Sequence, residues 1–126
     1  MEVKRLFDIP RHQLANYPTP NMFVTKSKGN WAGLSTEDFI LTSTKISLGL
    51  MALGINEGDK VALVSTNRYE WNIMDIAIQQ IGAIVVPLYP NISSSDYRYI
   101  LNDAGAKICV VGTDELHDKI MSIKSD

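Results

Sequence analysis

Lys60 to Leu88 reads KVALVSTNRYEWNIMDIAIQQIGAIVVPL, and the fold turns on it. Two almost unbroken apolar runs, KVALVS and AIVVPL, enclose a polar-to-apolar stretch that ends in Gly82. Strands with one wet face alternate apolar and polar residues, but these runs do not. That pattern belongs to strands covered on both faces, as in parallel sheets. The segment between them, from about Tyr69 to Gln80, has the length and spacing of a helix. Parallel strands need such a crossover, and its hand is nearly always right. The stretch therefore predicts a strand–helix–strand unit.

The alternation continues in both directions. Downstream, SSSDYRYILNDAG predicts a helix with Tyr97, Ile100, Leu101 and Ala104 on one side, ended by Gly105. KICVVG follows as a third buried strand. TDELHDKIMSIKSD opens another helix, with Thr113 as cap and Ile120 and Ile123 as apolar contacts. Pro87 cannot donate to a strand ladder, so it belongs at the strand's end or on an unpaired side.

Upstream, STEDFILTSTKISLGLMALGI predicts a helix. Ser35 or Thr36 caps it, Glu37 and Asp38 favour its positive end, and the stripe runs through Phe39, Thr42, Ile46, Leu50 and Leu53. Gly54 stops it in a left-handed conformation. MFVTKSKGNWAGL predicts a hairpin from Met22 to Leu34, turning at Lys28-Gly29-Asn30. Residues 1–20, with weak periodicity and NYPTPN near their end, read as an irregular lead-in. Residues 21–126 then form one α/β unit: parallel strands with helices on both faces, preceded by a short β-hairpin. Its outer strands are rich in Val and Ile, so exposed edges invite self-association or a further piece of protein.

Composition narrows the function. The 126 residues are 45% hydrophobic and 21% charged, with a net charge of −2. Lys and Arg are dispersed, which disfavours a nucleic-acid partner. The opening residues lack the apolar core of a secretory signal. The longest apolar run is far short of the ~20 residues that span a bilayer. A single cysteine, Cys109, allows no internal disulfide and fits a reducing, cytoplasmic setting. Cys109 itself reads as a small buried hydrophobe.

Few residues carry chemistry. His12 and His117 are far apart and have no metal-ligand cluster around them. Glu70, Asp75, Asp103 and Asp114 are scattered rather than paired for acid–base work. Ser93, Ser94 and Ser95 stand where a helix begins, and a helix N-terminus attracts anions. Phosphate-cradling loops need glycines, however, and none occurs between Gly82 and Gly105. Asp96 would also repel a phosphate, so the serines read as a cap. Gly54, Gly58 and Asp59 precede a strand, the wrong order for a dinucleotide loop.

The loop STNRYEW leaves the C-terminal end of a parallel strand, where open α/β sheets place ligands. Two readings stand there. Asn67 and Arg68 contact an anion or a neighbouring domain; or Asn67 caps the helix, Arg68 is solvated and Trp71 packs on the sheet. Tyr89, after the next strand, is a third surface candidate at the same end. No catalytic, cofactor-binding or metal-binding residue is assigned.

Taken in order, WAGLSTEDF, L..LGI..GDKVAL, N..EW, GAI.VPLYP and YIL.DAGAKICVV resemble the N-terminal part of adenylate-forming enzymes. They are most similar to bacterial long-chain fatty acyl-CoA synthetases. The resemblance runs from about Asn21 to the end and implies a partial, N-terminal piece of that fold. It implies a full enzyme that uses ATP and Mg to turn a fatty acid into an acyl-adenylate, then transfers the acyl group to CoA. The family's phosphate loop, its Tyr-Gly-x-Thr-Glu stretch, its ribose-binding Asp and its catalytic lysine are not in this sequence. The resemblance thus implies an inactive fragment whose partner is the rest of a synthetase chain, cytoplasmic and peripheral to the membrane at most. The alternatives are an autonomous small α/β interaction module and a short regulator that pairs with a synthetase.

Overall fold

The computed structural model describes residues 2–124. After a 3-10 turn at Leu6–Asp8 come α1 (Ile9–Asn16), β1 (Phe23–Ser27), β2 (Asn30–Leu34), α2 (Thr36–Ala52), β3 (Lys60–Val64), α3 (Tyr69–Gln80), β4 (Ile84–Leu88), α4 (Ser94–Ala104), β5 (Ile108–Val111) and α5 (Asp114–Met121). β1 and β2 form the antiparallel hairpin, with Lys26 opposite Trp31. The other three strands form a parallel sheet in the order β4-β3-β5. Among the described residues no helix is long and apolar enough to cross a membrane.

The central strand explains both layers. Val61, Ala62 and Val64 have no exposed surface. Val61 joins Val85, Ile108 and Val110 in a cluster with Leu50 of α2 and Met74 and Ile78 of α3. Ala62 and Val64 point the other way, to Leu88, Cys109 and Val111 and to Tyr97 of α4 and Leu116 of α5. Burying each valine side chain contributes about 1.5–3 kcal/mol. The chain steps outward from β3 to β4 with α3 on one face. It returns past β3 to β5 with α4 on the other. Opposite directions with opposite faces are what a constant crossover hand demands.

Helix ends follow their sequence signals. The Ser35, Ser93 and Thr113 side chains accept from the amides of Asp38, Asp96 and Leu116. Gly105 takes a φ of 65° just beyond α4. The hairpin turns through Lys28 and Gly29, with φ of 50° and 82°, a two-residue turn whose twist suits the strands. β4 is an outer strand, which accommodates Pro87.

Two expectations are corrected. The lead-in is not irregular, since Ile9–Asn16 is helical. Asp8 fixes the 3-10 turn that leads into it: its carboxylate accepts from the amides of Lys4 and Arg5 at 3.2 and 3.0 Å and from the Arg5 guanidinium at 2.9 and 3.2 Å. Pro10 supplies a helix-compatible φ in the first turn. The helix is short and buries little apolar surface, so it has almost no periodic signature.

The α2 stripe also differs from expectation. Its buried residues are Thr36, Phe39, Ser43, Ser47 and Leu50, while Leu53 is 70% exposed. Two serines face α3 because small side chains let the helices approach closely. Each hydroxyl is satisfied: Ser47 donates to the Ala77 carbonyl at 2.7 Å, and Ser43 donates to Ile40 O and accepts from Gln80.

Candidate functional site

The C-terminal ends of β3, β4 and β5 open at one edge of the sheet. Each runs into a connection and then a helix N-terminus. Ligands of open α/β sheets bind outside this edge, where the strand order reverses. Here the reversal falls between β3 and β5, and an arginine bridges it. Gly112, following β5, lies against Ser65, following β3. A Cβ at Gly112 would stand 2.1 Å from Ser65 Oγ and 2.6 Å from its Cβ. Arg68 Nη1 donates to Gly112 O at 2.7 Å, and its Nε and Nη2 donate to the Glu70 carboxylate at 2.9 and 3.2 Å. That pairing raises the pKa of Arg68 and lowers that of Glu70. Beside this bridge the crevice keeps an opening of about 260 Å³, walled by Arg68, Glu70 and Gly112 together with Leu63, Trp71, Met74 and Val110.

The larger opening is on the other side of β3. A cleft of about 570 Å³ lies between the ends of β3 and β4, lined by Ser65, Thr66, Asn67, Trp71, Pro87, Leu88, Tyr89 and Pro90. Its size falls within the ordinary range for small-molecule pockets. Three uncharged polar side chains face two rings and two prolines. Tyr89 is 78% exposed at the rim. Its backbone is held from beneath, because the buried Tyr97 hydroxyl donates to Tyr89 O at 2.7 Å. Burial raises the pKa of the Tyr97 phenol. Lys119 secures the same loop by donating to Ile92 O, with its ammonium 5.3 Å from the centre of the Tyr97 ring.

Of the three residues singled out by sequence, Asn67 and Tyr89 come together across this cleft, and Arg68 turns to the other side of β3. Asn67 does not cap α3. The cap position belongs to Arg68, with no side-chain capping bond. Arg68 is a latch between two connections rather than a freely solvated charge. Trp71 was expected on the sheet, and it forms a wall common to both openings. Ser65, Gly112, Tyr97 and Lys119 carried no signal as site residues. Only the pairing of strand ends distant in sequence brings them into the picture.

The donor set does not suit a nucleotide triphosphate with its divalent ion. Each helix that starts at this edge carries a carboxylate in its first turn: Glu70, Asp96, and Asp114 with Glu115. Ser93 Oγ is occupied with Asp96, accepting from its amide at 3.2 Å and donating to its carboxylate at 2.7 Å. That is the cap read from SSSD. Among the described residues no three His, Cys, Asp or Glu side chains gather as a metal site. Cys109 is half-buried on the α4–α5 face, and burial pushes its thiol pKa up.

Residues 11–126 match the model of the family described as AMP-binding enzyme. The chain is 36% identical over 86 residues to the long-chain-fatty-acid–CoA ligase FadD15 of Mycobacterium bovis, covering 68% of this chain and 14% of that protein. It is 30% identical over 101 residues to the long-chain-fatty-acid–CoA ligase ACSBG1 of Rattus norvegicus, covering 80% of this chain and again 14% of the relative. It thus spans about a seventh of the length of these relatives. In three dimensions it superposes on the inhibitor-bound N-terminal domain of FACL13 from Mycobacterium tuberculosis with a TM-score of 0.83 at 24% identity. That match covers 95% of this chain and 30% of the other.

Proposed function

The chain belongs to the AMP-binding enzyme family, and from that premise we propose that it forms the opening α/β layer of an AMP-forming long-chain fatty acid–CoA ligase. The whole enzyme would join a fatty acid to ATP as an acyl-adenylate with release of pyrophosphate, then pass the acyl group to CoA with release of AMP. The observation carrying this reading is the alignment of this layer with ligases named for long-chain fatty acids in a bacterium and a mammal.

Within such an enzyme these residues would be scaffold. The carboxylate-lined helix starts repel phosphate, so ATP, Mg and CoA would be held by residues outside this layer. The layer would present a fixed rim, with the Arg68 latch on one side of β3 and the Asn67–Tyr89 cleft on the other, against which the nucleotide-handling part packs. By itself it would be inactive. The free, half-buried Cys109 supports a cytoplasmic setting.

Two experiments test the proposal. The isolated chain is assayed for palmitate-dependent ATP–pyrophosphate exchange, with none expected. The matching segment of FadD15 is then replaced by this one, and the chimera is expected to fold and to activate palmitate. Exchange by the isolated chain, or a folded chimera without activity, would reject the reading. A second reading, a small module or regulator that pairs with a synthetase, draws on the outer edges of β4 and β5, which carry no further strand among the described residues. Co-purification of this chain with an intact ligase, combined with an inactive chimera, would favour it.

A further inference from the structure

The β1–β2 hairpin projects from the body of the protein, for every residue from Val24 to Gly33 is exposed. Two-stranded hairpins are marginal on their own, but this one is anchored at its base. Phe23 stacks on Phe39 of α2 with ring centres 5.4 Å apart, and Met22 N donates to Leu34 O at 2.8 Å. Directly opposed residues of an antiparallel pair share a face. The pairs Val24–Gly33 and Lys26–Trp31 therefore lie together on one side. Trp31 is 70% and Val24 48% exposed, and the Lys26 ammonium stands 5.7 Å from the centre of the Trp31 ring. Lys28 sits at the tip, in the turn. Met22 to Leu34 contains two lysines and no carboxylate; the next ones along the chain, Glu37 and Asp38, belong to α2 beyond the anchored end.

We propose that this arm docks on a lipid surface bearing anionic headgroups, with Trp31 in the interfacial layer and Lys26 and Lys28 at the phosphates. An indole with an apolar body and one polar edge suits the membrane–water boundary. Lysines beside it extend their stems along the apolar layer and keep their charge in the headgroups. The charge complementarity is one-signed, since nothing in the arm repels an anionic surface. The arm also lacks the enclosed apolar pocket that protein hot spots occupy, which sets an acidic protein partner second. The inference goes beyond the ligase reading and does not depend on it, because binding to a bilayer requires no catalysis.

The test uses the whole 126-residue chain and sedimentation with vesicles of phosphatidylcholine, alone or mixed with phosphatidylglycerol. Binding is expected to the mixed vesicles, weaker in high salt and much weaker without the anionic lipid. Replacing Lys26→Gln and Lys28→Gln together is expected to lower the affinity about thirtyfold, at roughly fivefold per lysine near an anionic surface. Trp31→Ala should also weaken binding, while Lys45→Gln on α2 should leave it unchanged. In a Trp71→Phe background, Trp31 emission should shift to the blue on binding. Absence of binding to the mixed vesicles, equal binding to both kinds, loss on Lys45→Gln as large as on the arm variants, or capture of polyglutamate without vesicle binding would each overturn the proposal. Circular dichroism of every variant separates a lost surface from a lost fold.

Discussion

Arg68 and Gly112 lie 44 residues apart in the chain, and Nη1 of the first donates to the carbonyl of the second at 2.7 Å. This contact ties the connection after the central strand to the connection after an outer one. It bridges the crevice where the strand order reverses. The larger opening lies on the other side of β3, between Asn67 and Tyr89.

Gly112→Ala should be strongly destabilising, because the new Cβ would meet Ser65 Oγ at 2.1 Å and its Cβ at 2.6 Å. Overpacking of this kind costs typically about 1–3 kcal/mol. Urea denaturation would measure it. Ser65→Gly in the same chain should recover part of the loss, and failure to recover any would place the strain elsewhere.

Arg68→Lys keeps the charge but cannot hold Glu70 with two donors and Gly112 O with a third. Amide exchange around Gly112 and Thr113 should quicken while the thermal midpoint barely moves. An unchanged exchange pattern would show that the latch carries no local stability.

Asp8 gives a pH dependence with a definite sign. Hydrogen bonding from Arg5, with the amides of Lys4 and Arg5 adding to it against a partial cost of burial, lowers its pKa from 3.8 to about 2. A depressed folded value means the contribution is present above the ordinary value and fades as pH falls from about 4 toward 2. Carboxyl titration by NMR should find Asp8 near the lower figure, and Arg5→Gln should return it toward the ordinary one. Loss of protection at the Lys4 and Arg5 amides should follow the same acid window.

Ser47 sits between α2 and α3 and donates to Ala77 O at 2.7 Å. Ser47→Ala should cost about 1 kcal/mol, the net worth of a typical buried hydrogen bond. Ser47→Leu should cost more despite being more apolar, because the larger side chain forces the helices apart. Denaturant midpoints would rank the two, and the reverse order would reject the close-packed interface.

Tyr97→Phe removes the hydroxyl that supports Tyr89 O. We expect a loss of about 1 kcal/mol and a change in Trp71 emission, since Trp71 and Tyr89 line the same cleft. A silent emission spectrum would show that the Tyr89 loop is held by Lys119 instead.

Much of this was legible in the residues. The apolar runs KVALVS, AIVVPL and KICVVG announced three parallel strands, and Ser35, Ser93, Thr113 and Gly105 marked the helix ends. Of the three, the central strand is the one buried, from Val61 to Val64, while Ile84 and Pro87 of β4 are exposed and β5 is half-buried. The hairpin turn followed from Lys28-Gly29-Asn30. The helix at Ile9–Asn16 escaped because a short helix that buries little beyond Pro10 leaves little hydrophobic period. The serines of α2 escaped because a polar residue does not look like core until its partner carbonyl is in place.

The sequence by itself determined the element types from Met22 onward, the two-sided burial of the central strand and the family resemblance, since these depend on local spacing along the chain. The tertiary structure alone decided that β3 lies between β4 and β5. That placement set Gly112 against Ser65, turned Arg68 to one side of the central strand and left Asn67 facing Tyr89 on the other. The physical reason is that residues near one another along the chain reveal which face is buried, whereas the neighbours of a strand end are chosen by how distant strands stack and cross.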